Sequence, residues 1–242
     1  MLQPLPLTRI SRQQPLPLSA DQYRIWFMHQ LQPELIHFNI NMAFRLRGDL
    51  QLAQLQESLN AVVARHESLR TTFVMPPGEE QPQQRIAQQL TLAVPLTDLA
   101  ALPAAEQEPT ARRQMEALGN QPFSLEQGPL LRAHAWRLAD DHHLLLFTIH
   151  HIIADFDSLK LIMRDLFAFY NQQGETLAGL PLQYVDYAAW QQTRLQSDDY
   201  ASQLEYWKNQ LGGEAPVLKM PMDRPRHSVM TNNGAVGRHA FS

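Results

Sequence analysis

The densest run of chemistry-bearing side chains is His150-His151-Ile152-Ile153-Ala154-Asp155-Phe156-Asp157-Ser158. It stands where an apolar strand pattern ends and a helical pattern begins. Side chains alternate along a strand, so His150 and His151 cannot share a face. Leu145, Phe147 and Ile149 share the face of His151. One histidine is therefore expected to look into a cavity or cleft, and the other into a packing layer. Asp155 lies in the turn, and Asp157 or Ser158 can cap the helix that follows. A histidine at a strand end, backed by a carboxylate a few residues on, suits a general base or proton-handling group. Taken alone, a double histidine is more often structural than catalytic. The two rings diverge, which disfavours a metal pair. His142 and His143 open the same strand, and a surface turn accounts for them.

A second cluster is Arg65-His66-Glu67-Ser68-Leu69-Arg70-Thr71-Thr72-Phe73, at a helix end. Basic residues there suit the helix dipole. The functional alternative is that one arginine is buried as a bidentate partner for a carboxylate, with Asp155 the natural mate. There is no G-x-G-x-x-G, Walker loop, G-x-S-x-G elbow or H-E-x-x-H. These absences weigh against a dinucleotide enzyme, a P-loop NTPase, an α/β-hydrolase and a zincin.

The elements that must position these clusters can be read from periodicity. Residues 1–17 are rich in Pro and Gln and read as an extended lead-in or linker. A helix starts at Ser19, with Gln22 at capping-box spacing, and Tyr23, Trp26, Phe27 and Gln30 fall on one face. Residues 38–46 alternate as a half-buried strand. Gly48 and Asp49 end it and cap a helix whose stripe is Leu52, Leu55, Leu59, Val62, Val63 and His66. A short strand is expected at Thr71 to Met75, then a polar loop over 76–84 and a helix over 105–119. Strands over 130–138 and 142–150 form a hairpin. From Ser158 a helix carries Leu159, Ile162, Met163, Leu166, Phe167 and Tyr170. Helices follow over 184–195 and 198–211, and a strand begins over 235–242. Mixed strands and helices imply an α/β or α+β fold.

Composition bounds the rest. The chain has 242 residues, of which 44% are hydrophobic and 18% charged, enough for a sizeable core. It has no cysteine, so thiolate metal sites, disulfides and cysteine nucleophiles are excluded. The net charge of −4 gives no basic footprint for nucleic acid. No apolar run is long enough for a membrane span. Prolines interrupt the N-terminus where a secretory signal needs an apolar core, so a cytoplasmic location is the default.

With these residues in hand, the chain resembles the condensation domains of nonribosomal peptide synthetases. HHIIADFDS is similar to their HHxxxDxxS signature. Leu18 to Phe27 (LSADQYRIWF) resembles the opening motif, Arg65 to Phe73 (RHESLRTTF) the second, and Tyr184 to Trp190 (YVDYAAW) the fourth. Pro122 to Arg132 and Met222 to Arg226 also resemble the family, and the order and spacing agree from about residue 16 to 228. The resemblance implies an α/β (α+β two-layer) lobe like chloramphenicol acetyltransferase, with a mixed sheet and packed helices. It implies an amide-forming acyltransferase whose donor and acceptor arrive as thioesters on carrier-protein phosphopantetheine arms. No cofactor bound by the chain itself is implied. His151 resembles the catalytic residue, with His150 and Asp155 beside it. Asp155 is implied to pair with an arginine, Arg70 ahead of Arg65, and Ser158 closes the motif.

Two departures matter. Phe156 stands where the family usually has glycine, a variant like those of domains that follow polyketide modules or handle modified residues. The family's later motifs are not in the chain. The expected organisation is therefore a lead-in over 1–17, an N-terminal lobe over 18–211, and an interlobe segment over 212–242, with the C-terminal lobe missing. An incomplete catalyst, a carrier-protein partner and self-association through an exposed interlobe face follow as expectations. The alternatives are a CoA-dependent acyltransferase of the same superfamily and a non-catalytic carrier-binding module.

Overall fold

The computed structural model describes residues 6–34, 36–214 and 221. The chain divides into two units, Met1–Ala201 and Ser202–Ser242. The first carries every element up to the start of the last helix. In chain order these are β1 (Leu16–Pro17), α1 (Ala20–Leu31), β2 (Asn39–Arg47), α2 (Leu52–Arg65), β3 (Thr71–Val74), β4 (Gln83–Ile86) and β5 (Leu96–Asp98). Then come α3 (Ala104–Gly119), β6 (Leu131–Ala139), β7 (His142–His150), α4 (Phe156–Tyr170), α5 (Tyr184–Leu195) and α6 (Asp198–Leu211). The strand expected over 235–242 lies outside the described residues, as does all of 212–242 except Gly212, Gly213, Glu214 and Pro221.

Four strands form a mixed sheet in the order β2-β7-β6-β5. The β2–β7 and β6–β7 pairs are antiparallel, and β5–β6 is parallel. The hairpin expected from the strands over 130–138 and 142–150 is β6–β7, with Ala139 opposite His142. β7 is central and buried on both faces. Leu145, Phe147 and Ile149 face the main core, and Leu144 and Leu146 face a second one. That double burial is why the strand reads as a nearly unbroken apolar run rather than an alternating one.

The main core is closed by two amphipathic helices. Leu55, Leu59, Val62 and Val63 of α2 meet Leu159, Ile162 and Leu166 of α4 over the sheet. Each such buried side chain contributes about 1.5–3 kcal/mol, so these two stripes dock both helices. The opposite face of the sheet packs Trp136, Leu138, Leu144 and Leu146 against Ala111 of α3. Among the described residues no helix is long and apolar enough to cross a membrane.

Several local readings change. The face that α1 buries is Gln22, Ile25, Trp26 and His29, while Tyr23 and Phe27 are exposed. Gln22 is drawn inward because it closes the capping box with Ser19 and also donates to the Ile152 carbonyl at 3.3 Å. The N-cap of α2 is Gln51 rather than Asp49, whose carboxylate instead accepts from the Gln51 side chain. The polar loop ends early, because Gln83–Ile86 pairs as β4 between β1 and β3. The lead-in is tied down rather than free: Arg12 meets Asp186 and Glu67, and Leu16–Pro17 pairs with β4.

Candidate active site

The strand-to-helix turn separates the two histidines as alternation requires. His150 ends β7 and is 1% exposed. Its ring lies among Phe38, Phe123 and His29, each with ring centroids about 6 Å away. Its Nδ1 accepts the backbone N–H of Ile152 at 3.2 Å. A nitrogen that accepts cannot carry the proton, so the neutral ring holds it on Nε2. Burial, with the nearby charges of His29 and His151, pushes the His150 pKa down to about 3. His150 therefore stays neutral and braces the turn from inside.

His151 emerges on the other side. Its backbone N–H bonds the Phe38 carbonyl at 2.8 Å, which fixes where the side chain leaves the chain. Its Nδ1 stands 3.0 Å from the Ala154 carbonyl. A carbonyl can only accept, so Nδ1 carries a proton, and in the neutral ring Nε2 keeps its lone pair. The ring lines a cavity of about 650 Å³ with Ser68, Asp155, Ile162, Leu180 and Tyr184. The cavity is walled by α1, the segment after α2, the turn before α4 and the start of α5.

Asp155 is the N-cap of α4. Its Oδ1 accepts the Ser158 backbone N–H at 2.8 Å and the Ser158 hydroxyl at 2.6 Å. These bonds hold the Asp155 carboxyl below its ordinary pKa, the hydroxyl first. Cap and motif serine are thus one unit, and the helix starts two residues before the expected position.

The expected arginine pairing is corrected. Among the described residues no ion pair joins Asp155 to an arginine. Arg70 donates to the Ala87 carbonyl, and its Nε is buried without a protein partner. Arg65 donates from Nε to Oδ2 of Asp165 at 2.9 Å. The physical reason is placement: Asp155 sits at the N-terminus of α4 as its cap, while Asp165 faces α2 from the buried side of α4. The Asp165 side chain is fully buried and also accepts from Arg164 and from His66. Burial pushes its carboxyl up, but the hydrogen bonds from Arg164, His66 and Arg65 outweigh burial and hold it below the usual range.

Sequence reasoning missed Asp165 and the cavity-facing role of His66. The signal was present: Asp165 sits between Ile162 and Leu166 inside the apolar stripe of α4, where an unpaired carboxylate is costly. It also missed Gln183, which donates to the Arg65 carbonyl at 3.1 Å and accepts the Glu67 N–H at 3.0 Å. Phe156, beside the cap, is 73% exposed, with the Lys160 ammonium 4.7 Å from its ring centroid. Among the described residues no three His, Asp or Glu side chains gather as metal ligands.

Comparison with known proteins fits this geometry. One of the linear gramicidin synthase proteins of Brevibacillus parabrevis is 39% identical over 98% of this chain, which covers 3% of that protein. The phosphinothricin tripeptide synthetase PhsC of Streptomyces viridochromogenes is 40% identical over 94% of this chain and 21% of its own length. The crystal structure of the X-domain from teicoplanin biosynthesis superposes with a TM-score of 0.78 at 31% identity, over 93% of this chain and 49% of that one. The chain thus spans a small part of these synthetases and about half of that domain. The family model described as Condensation domain matches residues 12–235, a range that takes in both motif clusters and the elements holding them, and the chain belongs to that family.

Proposed function

We propose that this chain is the histidine-bearing N-terminal lobe of a domain that forms amide bonds in nonribosomal peptide, or hybrid polyketide–peptide, synthesis. The donor is an acyl or peptidyl thioester on one carrier protein, and the acceptor is an aminoacyl thioester on another. The observation that carries this reading is the tautomer of His151, with Nδ1–H given to Ala154 and the Nε2 lone pair left free on a cavity wall.

The chemistry follows from a thioester that is already activated. The neutral acceptor amine attacks the donor carbonyl carbon, an N–C bond forms, and the carbonyl electron pair moves to oxygen. As the intermediate collapses the C–S bond breaks and the sulfur leaves as thiolate. The proton shed by nitrogen passes to Nε2 of His151 and then to the thiolate, so the products are an amide and a free thiol. His151 serves as this base or holds the amine in line for attack. His150, from inside the turn, and the Asp155–Ser158 cap, on the cavity wall, hold His151 in place.

The exposed rim of this lobe supports a second wall in the whole domain. Met28, Leu161, Leu180 and Tyr184 line the cavity and are each more than a third exposed. A C-terminal lobe would cover such side chains; without it the chain is expected to be inactive alone and prone to self-association. A cytoplasmic location fits carrier-borne substrates.

The test is His151→Ala in the complete synthetase that contains this chain. Amide formation is expected to fall ~10²–10⁴-fold. Unchanged amide formation would sink the role of His151. Equal use of a CoA-bound donor would point to acyl transfer from CoA instead.

A further inference from the structure

His66 lines the same cavity as His151, and nothing in the reading above uses it. It is the residue on which α2 ends, and the chain on both sides of it is clamped. Gln183 takes hold of the Arg65 carbonyl before it and the Glu67 N–H after it. The ring is fixed as well: its Nε2 stands 2.8 Å from Oδ2 of Asp165.

Asp165 is also held by two guanidinium groups. Arg65 supplies one N–H to it, and Arg164 supplies two, at 2.9 and 2.7 Å. The contact with this fixed carboxylate also orients the imidazole. A carboxylate held in its charged form accepts and cannot donate, so Nε2 of His66 carries a proton. In the neutral ring the acceptor is then Nδ1, for which no partner is found among the described residues. His151 is fixed the opposite way round. One cavity thus has two oriented imidazoles, one offering Nε2 and the other Nδ1.

Resting on the proposed function, we infer that His66 is a binding residue for the pantetheine arm, with its Nδ1 accepting an amide N–H of that arm. The arm carries two secondary amides, whose N–H groups need acceptors once they leave water. Ile162, Leu180 and Leu182 line the same cavity together with Ser68 and Gln183, and an oriented acceptor among them favours amide-bearing arms over plain acyl chains.

The test is a titration with pantetheine of the complete domain that contains this chain, followed by the imidazole ¹⁵N resonances. In the free domain His66 is expected as the Nε2–H tautomer and His151 as the Nδ1–H tautomer. On addition of pantetheine the Nδ1 resonance of His66 is expected to move. In His66→Leu, which removes the acceptor while Arg65 and Arg164 still face Asp165, the Kd is expected to rise about three- to tenfold. The Nδ1–H signal of His151 should be retained there, which reports an intact fold. A response at His151 alone, or an unchanged Kd in His66→Leu, overturns the role of His66 and leaves the proposed function standing. No response at either ring overturns both.

Discussion

Both hydrogen bonds that Ser158 gives to Asp155 fall on the same oxygen, Oδ1, the backbone N–H at 2.8 Å and the hydroxyl at 2.6 Å. The motif aspartate is therefore a helix cap, and its partner is three residues away rather than on another element. A cap is insensitive to charge in a way that a buried ion pair is not. Asp155→Asn is expected to change stability by a few tenths of a kcal/mol, since asparagine caps equally well, and Asp155→Ala to cost about 1 kcal/mol. Urea unfolding of the chain measures both. A loss of several kcal/mol in the asparagine variant would restore the arginine pairing that the sequence suggested.

His150 sets an acid limit on the fold. Its ring is buried neutral with a pKa of about 3, whereas an unfolded histidine titrates near 6.5. Between those values the unfolded chain holds the extra proton and the folded chain does not. Stability from this group is complete above about pH 6.5 and drains away as the pH falls towards 3. At pH 4 the loss is roughly 3 kcal/mol relative to pH 8. His150→Gln removes this titration while leaving an acceptor for Ile152, so its stability should fall less steeply with acid than the parent's. Parallel curves for the two proteins would show that His150 is protonated in the fold.

Arg65 and Arg70 should exchange the ranks given by the motif. Arg65 faces a fully buried carboxylate, and Arg70 faces a backbone carbonyl. Truncating Arg65 to Ala leaves Asp165 with fewer cations in a dry site, and a cost of about 3 kcal/mol is expected. Arg70→Ala loses one hydrogen bond and also removes a buried Nε that has no protein partner, for about 1 kcal/mol. Chemical denaturation of the two variants side by side decides it, and equal losses would remove the distinction.

The contrast between what the residues foretold and what they hid has a physical pattern. α2 and α4 were legible because each buries one stripe against the sheet, and a stripe repeats in sequence. The divergence of His150 and His151 was legible because strand parity is local. β4 (QQRI) and β5 (LTD) carry no apolar alternation; they exist because backbone groups found partners in β3 and β6. Partner choice is equally hidden, since Asp165 and Asp155 offer the same carboxylate and only the packing of α4 on α2 decides which one an arginine reaches. The same holds for α1, where Gln22 is buried beside Trp26 while Tyr23 and Phe27 are exposed, because Gln22 had a cap and a carbonyl to satisfy.

The lead-in gives the last prediction, because its composition resembles a linker and its contacts do not. Arg12 places Nη1 2.6 Å and Nη2 3.1 Å from the two oxygens of Asp186, and its Nε 2.9 Å from Glu67. The Asp186 side chain is fully buried in α5 and also accepts the backbone N–H groups of Ile10 and Gln183. Burial pushes its carboxyl up, and Arg12 with those two N–H groups outweighs burial and holds it low. Stability from Asp186 is accordingly present above about pH 4 and lost as acid protonates it. Deleting residues 1–12 removes the cation and one N–H while the carboxylate stays buried, so a loss of about 3–5 kcal/mol is expected. Arg12→Lys keeps the charge but not the fork that spans two carboxylates, and about 1–2 kcal/mol should go. The effect should reach the cavity, because Glu67 and Gln183 both hold the segment that carries His66. Urea midpoints for the truncated, Arg12→Lys and parent chains test the order, and a truncated chain as stable as the parent would make residues 1–12 the dispensable linker their composition suggests.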